Sequence, residues 1–134
     1  MIYIPANENL CGSPITVAPG ADHIGEVQAW DVDTGKRVWT HNFQHSENWG
    51  PILATAGGLV FSGGTNDRLF RAFDAQDGKV LWEFPTNSGI LGTPSSFMVD
   101  GTQYIAVQSG WGKYGWSTQP DIPEGGAIWV FAVK

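Results

Sequence analysis

The feature that most constrains the fold of this chain is an eleven-residue pattern that occurs twice, 43 positions apart. Residues 29–39 read Ala-Trp-Asp-Val-Asp-Thr-Gly-Lys-Arg-Val-Trp, and residues 72–82 read Ala-Phe-Asp-Ala-Gln-Asp-Gly-Lys-Val-Leu-Trp. Five positions are identical at this one offset, and residues 126–131 repeat the first half in weaker form. A fixed period of this length is typical of architectures in which similar units stack on one another.

Around these copies the sequence predicts short β-strands and almost no helix. The apolar runs are four to seven residues long, rich in Val, Ile, Phe and Trp, and bounded by Gly, Asp, Asn or Pro. The middle unit shows four such runs, which we name A to D: 51–55, 59–62, 68–73 and 79–84. Gly57-Gly58 and Asp77-Gly78 supply tight turns between them. Four strands per period are typical of a blade of an all-β, antiparallel β-propeller.

The other two units are incomplete. The first shows strands B (2–4), C (25–30) and D (37–40), and the last shows A (93–99), B (104–107) and C (127–131). We therefore divide the chain into an incomplete blade (1–41), a complete blade (42–85) and a second incomplete blade (86–134). About two and a half four-stranded blades cannot close a ring. We expect a segment of a longer propeller, or a domain whose remaining blades come from another polypeptide.

Composition excludes several classes of function. Seven Lys and Arg residues against 13 Asp and Glu residues give a net charge of −6, with no basic cluster. This predicts no binding to nucleic acid or to anionic membrane surfaces. No run approaches the roughly 18 apolar residues of a membrane span, and the start of the chain resembles no signal peptide. Cys11 is the sole cysteine, which excludes an internal disulfide.

The candidate binding residues lie on one predicted face. In an up-and-down blade the B–C and D–A connections emerge on the same side, and the A–B and C–D turns emerge on the other. The B–C connections of the first and last units are about twenty residues long, and loops of that length are usually functional. They contain residues 5–12 and 109–116, and a D–A connection on the same face carries Asn48-Trp49-Gly50. Tryptophans between glycines suit a planar, polar, anionic ligand; alternatively, they plug the propeller channel.

Other conspicuous residues favour structural roles. Trp39 and Trp82 recur at fixed positions and are predicted to dock one blade onto the next, while Asp31 and Asp74 are predicted to accept hydrogen bonds from their turns. His41 and His45 have the spacing of a helical metal pair, but their surroundings show no helix and no third ligand. We interpret them as solvated loop histidines and predict no metal ligand in this chain. Cys11 is predicted to be a small buried hydrophobe.

The repeated Ala-x-Asp-x-x-(Thr/Asp)-Gly-Lys-x-x-Trp pattern resembles the tryptophan-docking repeats of the pyrroloquinoline-quinone (PQQ) dehydrogenases. More specifically, residues 48–61, 101–107 and 126–131 resemble the C-terminal part of the quinoprotein methanol and alcohol dehydrogenases. The resemblance covers essentially the whole chain. It implies an eight-bladed propeller with PQQ on its axis beside a Ca²⁺ or lanthanide ion. It also implies oxidation of primary alcohols to aldehydes in the periplasm, with electrons passed to a cytochrome c.

The same resemblance assigns residues to the quinone pocket. Trp49 matches a tryptophan that lines it, and the loop with Gly115 matches a region that approaches PQQ. Either Trp111 or Trp116 is the matching indole of that loop, and we favour Trp116. The Pro-Ala-Asn-x-Asn-x-Cys segment matches one that donates an asparagine, for which we favour Asn7 over Asn9.

The family's catalytic aspartate, metal ligands and stacking tryptophan lie upstream of the region that this chain resembles. We therefore expect a part of the cofactor wall without the proton chemistry, and no oxidation of alcohol by this chain alone. The alternative is a non-catalytic propeller scaffold or interaction module built from the same docking repeats.

Overall fold

The computed structural model describes residues 17–111 and 122–133, which form nine β-strands and no helix. No segment of this part of the chain is a helix long and apolar enough to cross a membrane. The strands are β1 (Gly25–Asp31), β2 (Lys36–Phe43), β3 (Ile52–Ala54), β4 (Leu59–Ser62), β5 (Leu69–Asp74), β6 (Val80–Pro85), β7 (Ser95–Val99), β8 (Thr102–Ser109) and β9 (Ala127–Val133).

The strands form three antiparallel sheets in chain order. The first sheet is β1-β2, the second is β3-β4-β5-β6 and the third is β7-β8-β9. The pairing register shifts between Ala29 and Trp30 in the first sheet and between Ala72 and Phe73 in the second. These two bulges are 43 positions apart, so the sequence repeat is also a repeat of backbone geometry. The predicted all-β fold with antiparallel blades is confirmed.

The predicted strands match the observed ones to within a few residues, except where the structure gives no description. Strand β2 continues to Phe43, two residues beyond the blade boundary placed at residue 41. The expected strand at residues 2–4 and Cys11 lie outside the described residues.

Two apolar clusters hold the three sheets together. The first cluster lies between the first and second sheets and consists of Val27, Trp39, Phe43 and Phe73. Between the second and third sheets the buried side chains belong to Phe61, Phe70, Ala72, Ile90, Ile105 and Val107. Each of these faces is apolar because alternate residues of a strand point to the same side of the sheet. Trp82 joins the second cluster at its edge, with its ring centroid 4.9 Å from that of Phe131.

Trp39 docks the first sheet onto the second, as predicted. Its Nε1–H donates to the carbonyl of Ala75 at 2.9 Å, and its ring covers Gly78 in the β5–β6 turn.

The turn aspartates also behave as predicted. Asp31 Oδ1 accepts the backbone N–H groups of Asp33 and Thr34, both at 2.9 Å. These backbone hydrogen bonds lower the pKa of the Asp31 carboxyl.

The connections between strands separate onto two faces. The turn face carries the β1–β2, β3–β4, β5–β6 and β7–β8 turns. The loop face carries the longer connections at residues 44–51, 63–68 and 86–94, together with the described ends of the β8–β9 connection, residues 110–111 and 122–126. On the turn face the N–H of Ala75 donates to the carbonyl of Gly58 at 2.9 Å. The candidate site is on the loop face.

Candidate functional site

Backbone hydrogen bonds join the connections of the loop face to one another. The Trp49 N–H donates to the Gly64 carbonyl at 3.0 Å, which joins the connection before the second sheet to one within it. The Thr86 N–H donates to the Arg68 carbonyl at 3.0 Å, and the Gly110 N–H donates to the Gly89 carbonyl at 2.8 Å. Four connections that are distant in sequence therefore form one continuous surface, as the face assignment predicts.

Trp49 is held by a crossing of two glycine-containing segments. A Cβ on Gly50 would lie 1.9 Å from the Gly63 carbonyl oxygen, and a Cβ on Gly64 would lie 2.0 Å from the Gly50 nitrogen. Gly64 has a φ of +100°, a backbone conformation that residues with a Cβ atom rarely adopt. Only glycines permit this approach, and it fixes the backbone on which the Trp49 indole stands, with 38% of the residue exposed.

Gly63-Gly64 is the glycine pair of this crossing, and neither residue belongs to a tight turn. The pair lies in the β4–β5 connection, where it packs on Gly50 and on Ile90. Gly57-Gly58 does form the predicted β3–β4 turn.

Trp111 is the most buried indole that the structure describes on the loop face, with 5% of the residue exposed. Its ring lies directly on Gly89, where an added Cβ would fall 1.4 Å from the indole Cε3 atom. Its backbone N–H donates to Ser88 Oγ at 2.9 Å. Its Nε1–H has no acceptor among the described residues. A buried donor without a partner costs free energy, so it calls for a specific explanation.

The structure connects Trp49 and Trp111 through one short segment. Ile90 packs against Gly63 and Gly64 on the Trp49 side, and its neighbour Gly89 carries the Trp111 ring. Two of the six candidate cofactor-binding residues are therefore placed on the same surface. Asn7, Asn9, Gly115 and Trp116 lie outside the described residues.

Sequence reasoning did not predict that side-chain oxygens of Glu47 and Asn48, the two residues before Trp49, are buried. Glu47 is 7% exposed, and neither of its carboxylate oxygens has a hydrogen-bond partner in the part of the chain that the structure describes. Asn48 donates from Nδ2 to Ser62 Oγ at 3.5 Å, while its buried Oδ1 accepts nothing from those residues. The signal available in the sequence was only an acid and an amide directly before a Trp-Gly pair.

At the loop-face end of the interface between the first and second sheets lies a polar cavity of about 520 Å³, lined partly by His41, His45 and Arg71. Arg71 donates to Thr65 Oγ1 at 2.9 Å, to Glu83 Oε1 at 2.8 Å and to the Asp67 carboxylate. The Arg71 guanidinium is thus already paired within the second sheet and its β4–β5 connection. Within residues 17–111 and 122–133, no group of three His, Cys, Asp or Glu side chains is arranged to hold a metal.

The interpretation of His41 as a solvated loop residue is wrong. His41 lies on β2, and its ring meets the rings of Phe43 and Phe73 edge-on, at centroid distances of 5.0 and 5.1 Å. Burial lowers the pKa of the His41 imidazole, and the nearby Arg71 charge lowers it further. His45 is exposed in the turn that follows β2, which agrees with the prediction.

Comparison with known proteins identifies the chain with one family. Residues 42–105 match the PQQ family model, described as the β-propeller domain of glucose, ethanol and alcohol dehydrogenases. The quinoprotein ethanol dehydrogenase of Pseudomonas aeruginosa is 45% identical over 118 residues, which cover 82% of this chain. A protein of Thauera butanivorans named 1-butanol dehydrogenase (cytochrome c) is 39% identical over 118 residues, which cover 86% of this chain.

A solved structure gives the same result. A europium-containing methanol dehydrogenase superposes with a TM-score of 0.71 and 31% identity over 85% of this chain. The matched regions make up 18% of the Pseudomonas relative, 17% of the Thauera relative and 24% of the methanol dehydrogenase chain. The chain thus spans less than a quarter of the length of these proteins.

Proposed function

This chain belongs to the PQQ-dependent quinoprotein alcohol dehydrogenases, and from that premise we propose that it forms part of the wall of the quinone pocket. The observation that carries the proposal is the convergence of Trp49 and Trp111 on one surface, joined through Ile90 and Gly89. In this proposal the three sheets are consecutive blades, divided at residues 1–41, 42–85 and 86–134, and further blades complete the ring.

The described residues fit a planar, polar cofactor. The Trp49 indole is partly exposed beside a rigid backbone crossing and offers a flat surface for an aromatic ring system. The Trp111 Nε1–H, which has no acceptor among the described residues, is a fixed donor for an oxygen of the cofactor, and it is buried, where such a bond is strong. The Glu47 carboxylate does not suit an anionic quinone, and we assign it no role toward PQQ.

In this proposal the described residues of this chain bind and orient the cofactor, and proton transfer belongs to other parts of the family's propeller. Trp49 limits the position of the cofactor ring, and Trp111 donates one hydrogen bond. By resemblance to the family, Asn7, Gly115 and Trp116 extend the same wall, with Asn9 as the alternative to Asn7. PQQ with its Ca²⁺ or lanthanide ion supplies the electron acceptor and the Lewis acid for oxidation of a primary alcohol to an aldehyde. The base and the metal ligands belong to other parts of the family's propeller.

The relatives support a proposal for the electron acceptor, and the resemblance to the family supports one for the compartment. The name of the Thauera protein supports a cytochrome c as the partner that reoxidises the cofactor. Europium in the methanol dehydrogenase supports a lanthanide as one metal that such a pocket accepts. A periplasmic location is the family's expectation, and we propose it here. The matches to dehydrogenases favour this function over the non-catalytic scaffold.

The test is a Trp49→Ala substitution in the complete dehydrogenase that carries this segment. Loss of the flat surface is expected to raise the dissociation constant for PQQ about tenfold, equivalent to about 1.4 kcal/mol. The measurement is equilibrium binding of PQQ followed by absorbance, with thermal unfolding to show that the fold persists.

Trp30→Ala is the matched control, because Trp30 is 54% exposed on β1 and its Nε1–H donates only to the nearby Gln28 side chain. It should leave the PQQ affinity unchanged. Unchanged affinity in Trp49→Ala would remove Trp49 from the pocket wall.

A further inference from the structure

One short segment of the loop face, Asn87-Ser88-Gly89, contacts both ends of the long β8–β9 connection. At the start of that connection the Gly110 N–H donates to the Gly89 carbonyl at 2.8 Å, and Ser109 Oγ donates to Asn87 Oδ1 at 2.6 Å. At its end, Gly125 approaches the Asn87 side-chain amide. This tripeptide therefore bridges the point where the connection leaves β8 and the point where it returns to β9.

The Ser88 hydroxyl is the centre of the bridge. The residue is fully buried. Its Oγ accepts the Trp111 N–H at 2.9 Å and donates to the Pro123 carbonyl at 2.5 Å. A hydroxyl offers one donor and two acceptor positions, so one small group bonds two backbone groups twelve positions apart in the chain. Alanine at this position would leave both of those groups without a partner.

Gly89 completes the arrangement by supplying the surface on which the Trp111 ring lies. No other residue fits there, because a Cβ would overlap the indole. The backbone of Trp111 is thus fixed by Ser88, and its ring plane is fixed by Gly89. The indole is held at both ends while its own Nε1–H stays without an acceptor among the described residues. The rigid position of this unsatisfied donor is explained if a bound molecule supplies the acceptor.

We propose that Ser88 is a positioning residue for the quinone cofactor, acting through Trp111. This inference rests on the proposed function, because it assumes that Trp111 contacts the cofactor. The hydrogen bond to the Ser88 hydroxyl fixes the position of the Trp111 backbone, and the contact with Gly89 fixes the orientation of the Trp111 ring. The Nε1–H therefore points to a constant position before the cofactor binds.

The first test is Ser88→Ala in the complete dehydrogenase. We expect the PQQ dissociation constant to rise about tenfold. Hydrogen exchange at the Trp111 amide, measured by mass spectrometry, should become at least tenfold faster, because that N–H loses its acceptor. Exchange in β4 and β5 should stay unchanged. Ser88→Cys, which keeps a weak donor and acceptor of similar shape, should restore part of the affinity.

Thr86→Val is the matched control. Thr86 is also buried in this connection, and its hydroxyl lies within hydrogen-bond distance of the Arg68 and Ser88 carbonyls, at 2.8 and 2.6 Å, rather than of Trp111. If Ser88 merely stiffened the segment, Thr86→Val would weaken PQQ binding as much as Ser88→Ala does. We expect it to leave the PQQ affinity within twofold of the wild type. An equal loss in both variants would overturn the inference.

A double-mutant cycle separates this inference from the proposed function. Trp111→Phe should raise the PQQ dissociation constant about tenfold, and adding Ser88→Ala should then change it less than twofold, because Ser88 acts through that indole. If Trp111→Phe has no effect, the proposed contact between Trp111 and the cofactor is wrong, and the role of Ser88 is overturned with it. If Trp111→Phe weakens binding but Ser88→Ala does not, only the role of Ser88 is overturned.

Discussion

Trp39 and Trp111 lie at opposite ends of the sheets and are held in similar ways, yet they differ in one hydrogen bond. Both are almost fully buried, and each ring covers a glycine of a neighbouring segment, Gly78 or Gly89. The Trp39 Nε1–H reaches the Ala75 carbonyl, whereas the Trp111 Nε1–H reaches no acceptor among the described residues. A satisfied indole serves packing alone. An equally rigid indole with an unsatisfied donor is prepared to bind something else.

The same contrast extends to the neighbouring polar groups. On the turn face, Asp31 accepts two backbone N–H groups of its own turn, and Asp74 accepts the Gln76 N–H at 2.8 Å. On the loop face, Glu47 and Asn48 hold buried acceptor atoms without partners in the part of the chain that the structure describes. The turn aspartates are therefore satisfied within the chain, and among the described residues the unsatisfied hydrogen-bonding capacity is concentrated at the loop face.

The largest expected effect tests the structural role of Trp39. Trp39→Ala should lower the free energy of unfolding by about 3–5 kcal/mol, because it opens a cavity between the first and second sheets and leaves the Ala75 carbonyl unpaired. Urea denaturation measures the loss. PQQ affinity per folded molecule should stay within twofold of the wild type. A larger loss of affinity than of stability would contradict the division between the two faces.

A second prediction compares two glycines of similar conformation on opposite faces. Gly64 and Gly35 both have positive φ, but a Cβ on Gly64 would meet Gly50 and Ile90, whereas a Cβ on Gly35 would meet nothing within 4 Å. Gly64→Ala should cost about 2–4 kcal/mol, from backbone strain and overlap together. Gly35→Ala should cost only the strain, about 1–2 kcal/mol.

The readouts for this pair are urea denaturation and PQQ binding. Gly64→Ala should also weaken PQQ binding, because it displaces the backbone that carries Trp49, and Gly35→Ala should not. Equal effects of the two substitutions on PQQ affinity would show that the glycine crossing does not position Trp49.

The sequence predicted the turn face better than the loop face, and the reason is physical. A 43-residue repeat with Asp at its turn and Trp at its end encodes local pairing, and Trp39, Asp31 and the bulge at Ala29 recur in register with it. The loop-face contacts depend on how neighbouring sheets twist against each other. Periodicity does not encode that twist, so the bridging role of Ser88 and the burial of Glu47 had no signal in the sequence.

The smallest expected effect is a pH dependence that differs between the two ends of the interface between the first and second sheets. Between the first and second sheets, Trp39 occupies the turn-face end and carries no titratable group. His41 occupies the other end, beside Arg71 and Glu83, with His45 and Asp67 lining the same cavity. Burial, followed by the Arg71 charge, lowers the pKa of His41, while Glu83 opposes this shift.

Because the pKa of His41 is lower in the folded protein than its ordinary value of 6.5, folding favours the neutral ring. The stability that the neutral ring contributes is complete above pH 6.5, and it is lost as the pH falls from there through the folded pKa. Hydrogen exchange at pH 5 should therefore become faster at residues 41–47, relative to pH 7.5 and after correction for intrinsic rates, while exchange at residues 75–78 stays unchanged. His41→Phe keeps an aromatic ring between Phe43 and Phe73 but cannot titrate. In that variant the difference between the two ends should disappear, and its persistence would assign the acid sensitivity to another group of the cavity.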